Sequence, residues 1–153
     1  MKTKSNHAAV AAIARKELKR LGIKGTATGR TSAGSDAVTV TAWDISPIVA
    51  RELATFCRRY ELGTFEGADD CYRYDNRDLS IPQVKYCSLV TCIGDSLEER
   101  ILAYCARTYE AMQGASWYFR SGAYLPELGC YTGQLVRRVY DGRMGEFWPA
   151  QLR

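Results

Sequence analysis

Apolar residues recur at Val10, Ile13, Ala14, Leu18 and Leu21, a three-to-four-residue spacing that gathers them on one helical face. Ser5 and Asn6 ahead of them offer capping side chains. Lys16, Lys19 and Arg20 load the last turns, where cations suit the helix dipole, and Gly22 supplies a left-handed stop. The period then changes to two. Val38, Val40 and Ala42 alternate with Thr39, Thr41 and Trp43, which predicts a half-buried strand over Ala37 to Trp43. A strand from Ile23 to about Thr31 precedes it. Ser32 to Asp36 is turn chemistry, so the pair is expected as an antiparallel hairpin.

Ser46-Pro47 predicts a second helix start, with Val49, Leu53, Phe56, Cys57 and Tyr60 on its inner face. Val84 to Thr91 reads as a third strand, with Val84, Tyr86 and Val90 on one side. Asp95-Ser-Leu-Glu98 has the spacing of a capping box, and the helix it opens turns Leu97, Ile101, Tyr104, Cys105 and Met112 inward before closing at Gly114. Beyond it come many aromatics and five glycines, with a short helix expected over Leu135 to Tyr140 and an extended tail from Arg143. The order predicts an α+β fold: a small antiparallel sheet of about three strands covered by about three helices. One domain over 1–153 is expected, with its core at 6–112 and an aromatic, glycine-rich extension at 113–153.

Composition narrows the function classes. The one N-terminal apolar stretch, Ala8 to Ala14, is too short to span a bilayer, which points to a cytoplasmic protein with no membrane partner. The 6 cysteines include no Cys-x-x-Cys pair and the single histidine is His7, so neither a metal centre nor a Cys–His nucleophile is expected. Reduced, buried thiols are expected instead. No phosphate-binding glycine loop and no nucleophile elbow occur. A non-enzymatic protein without a cofactor follows; an enzyme modifying a host target is a remaining alternative.

The net charge of +4 is unevenly spread, with residues 1–24 carrying +6, 25–114 carrying −4 and 115–153 carrying +2. The basic block (Lys16, Lys19, Arg20 and Lys24, with Arg30 in the hairpin) suits phosphates, giving nucleic acid as a second, less favoured partner. The acidic block centres on residues 61–82, where Glu61, Glu66, Asp69, Asp70, Asp75 and Asp78 stand among Phe65, Tyr72 and Tyr74. A solvated loop does not need three large aromatics, so this one is expected to pack on the body and present an acidic rim. The candidate protein-binding residues are Glu66, Asp69, Asp70 and Asp75, supported by Phe65 and Tyr72. The carboxylate order does not match a calcium loop. The aromatic C-terminal third is read first as core, with a homodimer interface or a partner site as alternatives.

The run Gly63-Thr-Phe-Glu-Gly67, with Asp70 and Tyr72 and then Gln83-Val-Lys-Tyr86, resembles the signature of the large polyvalent protein-associated domains of the twenty-ninth type. The resemblance covers about residues 6–110. This chain has Glu66 where the family more often has aspartate, which keeps the charge. Such domains are carried by phages and conjugative elements. The resemblance therefore implies a mobile-element accessory protein acting inside a bacterial host. A counter-defence inhibitor is expected, such as an anti-CRISPR-like factor binding a host defence protein or ribonucleoprotein complex.

Overall fold

The computed structural model describes residues 5–32, 34–68, 70–109 and 124–149. They divide into two compact units. The first comprises residues up to Ile45 with Ala50–Cys92, and the second Ser46–Val49 with the residues from Ile93 onward. The fold is α+β, as the sequence predicts.

Helix α1 (Asn6–Arg20) buries Val10, Ala11, Ala14 and Leu18, a narrower stripe than expected: Leu21 is its C-cap and stays exposed. The helix ends in a Schellman turn. Gly22 sits at φ +66, its N–H donates to Lys19 O, and the N–H of Ile23 donates to Leu18 O. Strands β1 (Gly25–Ser32) and β2 (Ser35–Trp43) pair antiparallel along their whole lengths, from Gly25↔Ala42 to Ser32↔Ser35. Alternation buries Ala27, Val38, Val40 and Ala42, the face on which α1 packs.

Helix α2 (Pro47–Arg59) buries Leu53 and Cys57. Strand β5 (Tyr86–Cys92) then joins β2, giving the order β1-β2-β5. It runs parallel to β2, from Ala37↔Tyr86 to Trp43↔Cys92, so the sheet is mixed rather than wholly antiparallel. The long crossover through α2 returns the chain to the end at which β2 began, as a parallel pair requires. Cys87 is the buried residue of β5. Tyr86 and Val90 face outward, and Val84 is buried ahead of the strand, bridged to Glu61. The expected grouping of Val84 with Tyr86 and Val90 therefore breaks where that bridge ends.

In the second unit, helix α3 (Asp95–Thr108) and helix α4 (Thr132–Tyr140) close a core of Leu97, Ile101, Cys105, Leu135, Val136, Val139 and Tyr140. Gly94, not Asp95, is the N-cap of α3; Asp95 and Glu98 lie in the first turn, where their charge suits the dipole. The expected end at Gly114 lies outside the described residues. A two-residue ladder, β6 (Tyr124–Leu125) with β7 (Cys130–Tyr131), precedes α4. The tail from Arg143 folds back instead of extending. The Trp148 indole donates to Tyr140 O at 2.7 Å, and Phe147 stands edge-on to Tyr104. Those aromatics serve as core, while Tyr124 and Tyr131 remain exposed.

Candidate recognition loop and its anchors

The segment between α2 and β5 contains a hairpin that the sequence reading missed: β3 (Thr64–Glu66) pairs antiparallel with β4 (Cys71–Arg73). Three-residue strands leave almost no periodicity to detect. Gly63 lets the hairpin close. A Cβ there would stand 1.7 Å from Arg73 O. Asp70 returns the chain at φ +48, a conformation that aspartate tolerates better than most residues.

Four polar side chains fasten the loop. Tyr72 places its hydroxyl between Lys85 O at 2.5 Å and Gly63 O at 3.0 Å. Burial, followed by the nearby Glu61 carboxylate, pushes this phenol up to about 12, so it remains a donor at every physiological pH. The Asn76 amide donates to Arg58 O and Glu61 O. Buried Gln83 aims its amide nitrogen at Arg59 O, Glu61 O and Asn76 O within 3.0 Å, and its oxygen accepts the N–H of Asp78 at 2.7 Å. Glu61 turns inward and accepts the N–H of Cys87. Asn76 and Gln83 thus satisfy carbonyls at the end of α2 that lack helical partners.

The carboxylates are largely spent on the loop itself. Glu66 pairs with Arg73 at 2.5 Å, Asp75 accepts from Thr64 and Asp78 accepts twice from Ser80. Asp70 is exposed at the turn, and Asp69 lies outside the described residues. The aromatics divide. Tyr72 packs inward against Tyr74 and Tyr86 at 4.9 and 5.5 Å, whereas Phe65, Tyr74 and Leu79 are 53%, 59% and 90% exposed. Beside these internally bonded carboxylates the loop thus exposes Phe65, Tyr74 and Leu79, against the expectation that its aromatics pack on the body.

The basic candidates are not gathered on one surface. Lys16 and Lys19 are exposed on α1, and Arg20 grips Glu17 in a two-pronged pair at 2.7 and 2.9 Å. Lys24 lies 5.4 Å above the Trp43 ring, and Arg30 projects from β1. His7, set aside in the sequence reading, forms a clasp. Its Nδ1 lies 3.0 Å from Asp36 Oδ1, its Nε2 3.1 Å from Ser5 Oγ, and Thr31 donates to Asp36 at 2.7 Å. Serine, histidine and aspartate are in the order of a nucleophilic triad. Together with Thr31 these side chains tie the start of α1 to the β1–β2 hairpin as a clasp.

That clasp sets a pH dependence. The Thr31 hydrogen bond, and then His7, hold the Asp36 carboxyl below the usual carboxylate range. A depressed carboxylate contributes stability that is present above its unfolded value of about 4 and lost as pH falls through the folded one. Urea titrations of wild type and Asp36→Asn should differ at pH 6, and the gap should narrow steadily as pH falls below the unfolded value of about 4. A gap that does not narrow with acid contradicts the assignment.

Cys57 and Cys87 are buried neighbours, and the Cys87 thiol is pushed up by its contact with Cys57 and by burial. Among the described residues no group of three or more His, Cys, Asp or Glu side chains is placed to hold a metal ion. None of their helices is long and apolar enough to cross a membrane. No family model, curated protein or solved structure matches the chain.

Proposed function

We propose that the chain is a non-enzymatic binding protein that engages a protein partner through residues 61–82. As the sequence resemblance implies, it serves a mobile element, and the partner is a host defence protein or ribonucleoprotein complex whose access to nucleic acid or to another subunit it blocks. The supporting observation is that this loop is fastened by Tyr72, Asn76 and Gln83 yet exposes Phe65, Tyr74 and Leu79. A pre-fastened loop loses little entropy on docking, and large apolar side chains ringed by polar groups are the usual energetic centre of an interface. Glu66, Asp70 and Asp75 form the rim. The one described loop carboxylate with no role in fastening is Asp70, so charge sets approach and orientation while the apolar anchors set lifetime.

Titrating the immobilised chain with purified host defence complexes tests this reading. The double variant Phe65→Ala/Leu79→Ser should weaken binding by about a hundredfold through faster dissociation. Asp70→Asn with Asp75→Asn should change mainly the salt dependence. Equal binding by the apolar double variant and wild type, or no binding by wild type to any complex, refutes it.

A further inference from the structure

Alternation in the three-stranded sheet turns a second set of side chains to the face opposite the one on which α1 packs. The register aligns its outward side chains in rows across the strands: Trp43 with Cys92; Thr26, Thr41 and Val90; Thr28, Thr39 and Ser88; Arg30, Ala37 and Tyr86. Trp43 and Tyr86 are 36% and 38% exposed, and Thr26, Thr28, Arg30, Ser88 and Val90 are exposed as well. Each ring has a lysine at the same distance, Lys24 Nζ 5.4 Å from the Trp43 centroid and Lys85 Nζ 5.4 Å from that of Tyr86. Arg30 shares the Tyr86 row. The face therefore has an aromatic ring and a cation at each end, with threonine and serine hydroxyls between them.

Charge selects the occupant. Asp36 is the only carboxylate in β1, β2 and β5, and it belongs to the opposite face, where His7 and Thr31 hold it. The outward positions of these strands thus offer cations, hydroxyl donors and two aromatic rings, and carry no carboxylate of their own. We propose that this face binds single-stranded nucleic acid, with Trp43 and Tyr86 as stacking platforms, Lys24, Arg30 and Lys85 on phosphates, and the hydroxyls on the intervening backbone. Six residues of parallel strand separate the two rings, about 20 Å at about 3.3 Å per residue. A single strand spans that with about four nucleotides, the short end of sites built from stacking platforms. A duplex hides its base faces and cannot use them. Stacking and phosphate contacts read no base edge, so binding of this kind is sequence-tolerant. Three phosphate contacts give a log–log salt slope of about −2.

The test is fluorescence anisotropy of a labelled ten-nucleotide thymidine strand and of the matching duplex, at 20 and 200 mM salt. The wild-type chain should bind the single strand at low salt and prefer it to the duplex. Trp43→Ala and Tyr86→Ala should each weaken binding by about tenfold, and Trp43→Phe, which keeps a ring, should not. Arg30→Glu should weaken binding and make the salt slope shallower by about one. Lys16→Glu/Lys19→Glu on α1 and Phe65→Ala/Leu79→Ser on the loop should leave it unchanged, which separates this face from both the basic helix and the protein-binding reading. No affinity at low salt overturns the proposal. So does full affinity in Tyr86→Ala and Trp43→Ala, or a loss confined to the α1 variant.

Discussion

Gly63→Ala unfastens the loop and lowers stability by about 3 kcal/mol or more. The added methyl would lie 1.7 Å from Arg73 O, 2.7 Å from Arg73 C and 2.9 Å from Tyr74 Cα. All three are backbone atoms, so no rotamer change relieves the overlap. The β3–β4 ladder must separate, and Tyr72 is then drawn from between Gly63 O and Lys85 O. Partner binding through Phe65 and Leu79 is lost with it, because the loop must then be ordered on docking. Gly67→Ala is the matched control: a Cβ there meets nothing within 4 Å, and the change stays within about 0.5 kcal/mol. Chemical denaturation of the two variants, with hydrogen exchange across residues 61–78, checks the pair. Equal stability of Gly63→Ala and Gly67→Ala contradicts the close approach.

Gln83→Leu should lower the melting midpoint by roughly 6–12 °C, the shift expected in a chain of this size for about 3 kcal/mol. The substitution keeps the side-chain volume and removes both polar ends. Glu61 O keeps its bond from Asn76, but Arg59 O, Asn76 O and the N–H of Asp78 lose their Gln83 partner. Each buried polar group left unpaired costs about 1–3 kcal/mol, and partial rehydration of this loop keeps the total near the lower sum. Amide exchange at Asp78 should accelerate, while exchange at Val38 and Val40 in the sheet should not. A shift under about 2 °C with unchanged exchange at Asp78 means that water replaces the amide without cost.

Much of the framework is legible from periodicity. Val38, Val40 and Ala42 declare their strand because one face must be dry and the other wet, and Leu53 with Cys57 declares a helix for the same reason. Gly22 and Pro47 mark ends because their backbone constraints are local. The site is less legible. Glu66 and Arg73 read as loop charges until a hairpin makes them diagonal neighbours on its ladder. Phe65 and Tyr72 look alike in sequence, yet one faces solvent and the other is an anchor, since the cross-strand pair meets the body on the Tyr72 side alone. His7 and Asp36, 29 residues apart, carry no mutual signal.

By itself, then, the sequence determined the α+β class, the α1–β1–β2–α2 order with its inner faces, and the concentration of acid and aromatic residues before β5. Those features depend on neighbours within a turn or a pleat. Tertiary structure alone decided the parallel direction of β5, the fastening of the loop by Gln83 and Asn76, the outward turn of Phe65 and Leu79, and the placing of Trp43 and Tyr86 on the same face of the sheet. Each of these requires residues distant along the chain to become adjacent, and their spacing in the sequence says nothing of that adjacency.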